Sequence, residues 1–365
     1  PGWAVLAGAA LGLMHATKET FVLPVAAMAV AWPIAVFWER RTPSPTLPST
    51  TSCKGFAWQD VVFGLAAMVA VSVTLYTSFF TNWRGVPDSV LTYLPWLQRA
   101  GGASPHLHPW YFYLERLAFY RRPGHPLWTE GLLLAVAVAG VAVAFRPRLL
   151  PEANSRLVRM LTIYTVTLTV FYSAISYKTP WCLLGFHHGF LLLAGVGVAA
   201  LLRACRSWWS KSLCGAALAA LLAHVGHQTW RAAYAQPADR SNPYVYAHTV
   251  PDLLRLVDKV NAIARAHPNP DRFAIQVMAP GGDYWPLPWY FRKFKHVGWW
   301  SEMPENPYSS LMVVSARFHA ELDEKSDKRW LMVGFFEDRP GVFFELYVEF
   351  PLWERYVATL PREDD

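Results

Sequence analysis

The 365-residue chain is 53% hydrophobic and 16% charged, with a net charge of +7 and a mean hydropathy of +0.18. That blend excludes both a wholly soluble enzyme and a bare helical bundle, since a soluble part has to dilute lipid-facing runs. The positive charge lies in short loops rather than in a basic helix or aromatic-basic repeat, which argues against nucleic acid as a partner.

A hydrocarbon core takes about 20 apolar residues per helix. The opening run, 3–14, is shorter than that, and a chain that starts on Pro1 is expected to begin inside a helix whose first turns lie upstream. Runs 21–38, 58–80, 127–145, 157–176, 181–202 and 213–230 follow. The expectation is a mainly α membrane bundle over 1–235, with about seven spanning segments, the first incomplete, and an outer loop over 81–126. A Pro/Ser/Thr tract at 42–52 reads as a linker.

Apolar runs stop near 236. From there the sequence predicts a soluble α/β domain over 236–365. Leu253, Leu254, Val257, Val260 and Ile263 recur at helical spacing over 251–267. Short apolar segments at 273–278, 311–315, 330–336 and 342–350 read as strands, and 284–294 reads as a helix entered through Gly281-Gly282-Asp283.

Lys and Arg in short loops set the orientation. Arg40, Arg41 and Lys54 follow the second run, Arg146, Arg148 and Arg156 the fourth, and Arg203, Arg206 and Lys211 the sixth. The alternate short connections carry only Lys18 and Lys178. The basic loops are therefore assigned to the cytoplasm, and the soluble domain to the outside of a multi-pass plasma or inner-membrane protein. Cys53, Cys205 and Cys214 fall near the cytoplasmic side and Cys182 at a helix start, so no disulfide framework or metal-type Cys pair is expected.

Three polar clusters share the outer face. The first is His15-Ala16-Thr17-Lys18-Glu19. An ammonium at this depth is a phosphate partner, although Lys18 could also snorkel beside Glu19. The second runs from Asn82 to His125 and holds Trp83, Arg84, Asp88, His106, His108, Trp110, Tyr111, Glu115 and Arg116. Its aromatics form an interfacial belt or stack on sugar rings. His106 and His108 are spaced for metal ligation, but Glu115 is the one plausible carboxylate and no Cys completes a site. No cofactor is required. The third cluster, Tyr177-Lys178-Thr179-Pro180-Trp181, places another cation and two aromatics at a helix start. His187 and His188 lie inside the helix that follows and read as satisfying a neighbouring carbonyl rather than binding a metal.

Lys18, Lys178 and Arg84 are thus candidates for binding a phosphate. Trp83, Trp110, Tyr111, Tyr177 and Trp181 are candidates for sugar or prenyl contacts. His15, Glu19, Asp88, Glu115 and Arg116 are read as acceptor-side or structural.

The segment Gly12-Leu13-Met14-His15-Ala16-Thr17-Lys18-Glu19-Thr20 resembles the Thr-Lys end of a spanning segment in the C-type membrane glycosyltransferases. Those are relatives of the protein O-mannosyltransferases and the aminoarabinose transferases. Segments 15–21, 79–85, 93–113, 176–181 and 284–292, in that order, resemble the family labelled flippase activity-associated protein over nearly the whole chain. The resemblance implies transfer of a sugar from a polyprenyl-phosphate donor to an acceptor hydroxyl at the outer face. It also implies a catalytic acidic residue in a first outer loop, which would precede Pro1. Expected partners are the lipid-linked sugar, membrane lipid and other envelope glycan-assembly proteins. The alternative is a non-catalytic accessory role in translocating lipid-linked oligosaccharides.

A reporter active only in the cytoplasm, fused after Asp365, is expected to stay silent. Activity there would invert the orientation and break up the common outer face.

Overall fold

The computed structural model describes residues 1–42, 57–95 and 106–361. The expected linker beyond Thr42, together with Cys53, Lys54 and Trp96, lies outside the described residues. The chain divides into two compact units, 1–230 and 231–365.

The first unit is helical. Its elements are α1 (Gly2–Thr17), α2 (Val22–Arg41), α3 (Trp58–Tyr76), α4 (Gly85–Leu91), α5 (Phe112–Ala118), α6 (Gly131–Phe145), α7 (Ser155–Ala174), α8 (Leu184–Ala204) and α9 (Trp208–Trp230). Among the described residues, four helical segments are long and apolar enough to cross a membrane: Glu19–Arg41, Trp58–Tyr76, Ser155–Ala174 and Pro180–Ala204. This marks a membrane protein. The other three expected spans differ from these four. Helices α1 and α6 are apolar but only 16 and 15 residues long, and α9, at 23 residues, carries Lys211, His224, His227 and Gln228.

Helices immersed in lipid gain nothing from hiding apolar surface against one another, so small residues that allow close approach hold them together. Here α1 packs on α3, α2 on α7, and α6 on α8. A Cβ added at Gly8 would strike the Gly64 backbone, one at Gly140 the Leu193 carbonyl, and one at Gly197 the Val136 carbonyl. Ala27, Ala31 and Ala35, one turn apart on α2, are fully buried.

Polar residues gather at the two ends of these helices. At one end Arg159 donates from Nε to the Ala144 carbonyl (3.1 Å) and from Nη1 to that of Thr42 (3.4 Å), while Arg156 pairs with Glu39 and Arg203 with Glu152. Lys18 and Tyr177 lie at the other end. The 20 residues of α2 separate the two by about 30 Å of helix.

The second unit is a five-stranded mixed sheet in the order β2-β1-β3-β5-β4. The strands are β1 (Ala274–Met278), β2 (His296–Trp300), β3 (Leu311–Ser315), β4 (Trp330–Arg339) and β5 (Val342–Glu349). β1 runs parallel to β2 and β3, while β5 is antiparallel to both β3 and β4. Alternation splits each strand between two faces. Ile275, Val277, Leu311, Val313, Phe344 and Leu346 pack with Leu253, Leu256, Val260 and Ile263 of α10 (Asp252–Ala266). Met278, Met312, Val314 and Tyr347 pack on the other face with Ala320 and Leu322. Every residue of the central strand β3 is buried.

Three expectations change here. The helix read over 284–294 is the short α11 (Leu287–Phe291). The edge strand β2 was missed because its sequence, His-Val-Gly-Trp-Trp, does not alternate. The end of the expected last strand is instead a helix, Phe350–Val357, which Pro351 enters at its first turn.

Gly140→Ala is expected to lower the stability of the helical unit by about 1–3 kcal/mol through overpacking. Gly215→Ala, within α9, where an added Cβ meets nothing within 4 Å, should not destabilise and should gain up to about 1 kcal/mol from the higher helix propensity of Ala. Thermal unfolding of both variants in the same detergent checks this.

Candidate functional site

Helix α1 ends because Lys18 turns extended (φ −165°, ψ 146°), and a single 3₁₀ turn, Glu19–Phe21, leads into α2. His15, one turn before the break, is held from several sides. Its Nδ1 lies 3.1 Å from Ser72 Oγ, its carbonyl accepts from the Tyr76 hydroxyl (2.9 Å), and its ring lies against Phe21 and Tyr76. It joins α1 to α3. Glu19 Oε1 accepts from Thr92 Oγ1 (3.3 Å), tying this junction to the segment after α4.

The second junction follows α7. Here residues 106–108 of the outer loop pair antiparallel with 176–178, so that His108 N donates to the Ser176 carbonyl (3.0 Å) and Lys178 N to that of His106 (2.9 Å), around the bridge Leu107–Tyr177. The Lys178 side chain is 1% exposed, and its Nζ donates to the carbonyls of Ile175 and His108 (3.3 Å for the latter). Burial pushes its pKa down. Tyr113 from α5 donates to the Thr179 carbonyl (3.3 Å), and burial pushes its phenol pKa up.

The two junctions enclose one cavity of about 230 Å³. Lys18, Glu19, Thr20 and Leu23 line one side; Tyr172, Ile175, Tyr177, Thr179, Trp181 and Cys182 line the other. The Lys18 ammonium lies 5.0 Å from the centroid of the Trp181 ring. Among the described residues it has no hydrogen-bond or ion-pair partner. Small-molecule sites usually span about 300–1,000 Å³. This one is sized for a compact head group, with one cation, one carboxylate and aromatic walls to meet it.

The remaining candidates lie elsewhere. Lys178, expected beside Lys18 as a phosphate ligand, lends its ammonium to backbone carbonyls behind the cavity. Arg84 is exposed and lies 3.8 Å from Asp88. Trp83, Trp110, Tyr111 and Glu115 are exposed outside the cavity. The Arg116 guanidinium stacks on Phe112 (4.0 Å) and Tyr120 (4.8 Å). The rings of His106 and His108 engage Tyr177 and Phe112 respectively. Burial, and then the charges of Arg116, His106 and Lys178, push the His108 pKa down. Among the described residues, no three His, Cys, Asp or Glu side chains gather where a metal could be held.

One polar group was missed. Glu130 precedes α6 rather than lying within a span, and its Oε2 is 2.5 Å from Nε2 of His187 on α8. The adjoining Thr129 amide donates to Gln228 Oε1 of α9 (2.8 Å), and its carbonyl lies 3.1 Å from His224 Nε2. The signal available in the sequence was an acidic residue abutting an apolar run, with a histidine in a later one.

No family model, curated protein or solved structure matches this chain.

Lys178→Met is expected to loosen the outer loop. A hydrogen bond from a charged group contributes about 1.5–3 kcal/mol, so opening of the 106–108 pairing should become about ten- to a hundredfold more frequent. Amide hydrogen exchange at His108 and Lys178 measures this, and unchanged protection would show that the ammonium does not hold the loop.

Proposed function

We propose that the cavity beside Lys18 takes the phosphate of a polyprenyl-phosphate-linked sugar, and that the protein transfers the sugar to an acceptor hydroxyl at the outer membrane face. The observation that carries this reading is the Lys18 ammonium, which has no hydrogen-bond or ion-pair partner among the described residues and shares one small cavity with Glu19 and Trp181 where apolar helices end. Such helices admit a prenyl chain, and an ammonium without an intramolecular partner is free for a phosphate.

In the reaction the bond between the sugar's anomeric carbon and the phosphate oxygen breaks, and its electron pair stays on the phosphate. Lys18 stabilises that charge as it develops. The acceptor oxygen bonds the anomeric carbon and gives its proton to a carboxylate. Glu19 is the carboxylate in the cavity wall and sits on the acceptor side, while the resemblance supplies a further acidic residue from a loop upstream. Trp181 and Tyr177 offer apolar faces to the sugar or the first prenyl unit. Lys178 and Tyr113 hold the wall in place. Arg84, Asp88, Trp83, Trp110, Tyr111 and Glu115 are assigned to the membrane interface or the acceptor's approach. This reading includes seven spans and an outward-facing second unit.

Lys18→Met in the full-length protein is expected to reduce transfer from a polyprenyl-phosphate sugar about ten- to a hundredfold, the loss of one charge-assisted contact. Near-normal transfer would remove Lys18 from the site. Donor binding without transfer by the wild-type protein would favour the accessory role in translocation.

A further inference from the structure

We propose that the second unit carries a glycan-binding cleft of its own. In it Trp285 stacks on the apolar face of a neutral pyranose, and Arg339, His248 and Thr249 meet the hydroxyls. The inference does not rest on the transfer reaction.

The cleft has a volume of about 510 Å³, within the usual range for small-molecule sites. Trp285 and Pro286 stand in its wall together with Arg339, His248 and Thr249. Trp285 belongs to an aromatic segment whose neighbours are used for folding. Leu287 and Phe291 are buried in the core, yet Trp285 remains 63% exposed. The fold therefore leaves this indole free to face a ligand. Nearby Trp289 is also exposed, but the Arg292 guanidinium covers its ring at 4.1 Å.

The polar side of the cleft is fixed in advance. Arg339 donates from Nη2 to Asp283 Oδ1 (2.5 Å) and from Nε to Asp338 Oδ2 (3.0 Å), so its planar fork is held before any ligand arrives. Burial pushes the Asp338 pKa up to about 6, against the opposing pull of Arg339.

The charge balance selects the ligand class. Asp283 also faces Arg317 at 3.4 Å, so two carboxylates offset two guanidinium groups. Neither an anion nor a cation gains net attraction there. Hydroxyls, which both donate and accept, match a neutral array of donors and acceptors. A proline-rich peptide would need a groove of several aromatics, and this cleft offers one free indole.

The test is saturation-transfer NMR on the full chain in lipid nanodiscs free of glycoside detergent. The probes are the methyl pyranosides of glucose, mannose, galactose and N-acetylglucosamine. At least one should receive transfer at its ring C–H protons. Trp285→Ala should weaken that binding about tenfold, the loss typical of truncating an aromatic anchor, and Trp285→Phe should restore part of it. His248→Ala should weaken it without altering the unfolding midpoint. Trp289→Ala, whose ring Arg292 already covers, should leave it unchanged. The proposal is overturned if no pyranoside binds, if binding survives Trp285→Ala, or if it is lost only with Trp289→Ala. Binding of hexaproline instead, abolished by Trp285→Ala, would make the cleft a peptide groove.

Discussion

The end of the helical unit that holds the cavity depends on where the Lys178 ammonium goes. Burying a charge is costly unless its hydrogen bonds are met, and a helix end leaves carbonyls without intrahelical partners. Lys178 answers both needs at once. It lies just beyond α7, where a cation complements the helix dipole, and donates to the carbonyl of Ile175. Its second acceptor, the His108 carbonyl, belongs to the outer loop, so the same cation draws 106–108 into register with 176–178. That pairing sets Tyr177 at the cavity wall and carries α5 in with it. From α5, Tyr113 reaches the carbonyl of Thr179, one residue before Pro180 opens the next helix.

Backbone-to-backbone approach holds the middle of the bundle, and polar side chains hold its ends. Gly140 against Leu193 and Gly197 against Val136 let α6 and α8 touch along their main chains. Any side chain there would prise them apart. At the two ends of α6 the pattern reverses. Arg159 donates to the carbonyl of Ala144, near the last turn, while Glu130 before the first turn meets His187. A helix of only 15 residues is thus tied at both ends to its neighbours. Its place in the bundle depends on those ties as well as on its own hydrophobicity.

Much of this fold was legible in the sequence. Apolar runs located the long helices, and the short apolar segments at 311–315 and 342–350 located the strands at the centre of the sheet, because buried central strands are apolar on both faces. The edge strand at 296–300 was hidden because His296 and Gly298 interrupt its apolar residues, so that it reads neither as an apolar segment nor as a clean alternation. The start of α6 was misplaced because a hydropathy run ignores a single carboxylate, and Glu130 went with it. At the site, sequence placed Lys18, Glu19, Tyr177 and Trp181 on one face, and the structure brings them to one cavity. It could not separate Lys18 from Lys178, since both are lysines beside aromatics at helix ends. What distinguishes them is the nearby supply of carbonyls without partners, and that is set by tertiary pairing.

The two concave sites of this chain differ in how their cations are held. Among the described residues the Lys18 ammonium has no ion-pair partner; it stands over an indole and shares with Glu19 a cavity of about 230 Å³ lined by the ends of apolar helices. Beside Arg339 the guanidinium is pinned by two carboxylates in a cleft of about 510 Å³. An ammonium with no such anchor is free to turn towards an anion. A neutralised guanidinium contributes direction instead of net charge, and it suits a ligand recognised by the geometry of its hydroxyls. Pinning therefore separates the two sites more than net charge does: a mobile cation can follow a ligand into place, whereas a fixed fork accepts only a ligand whose hydroxyls already match it.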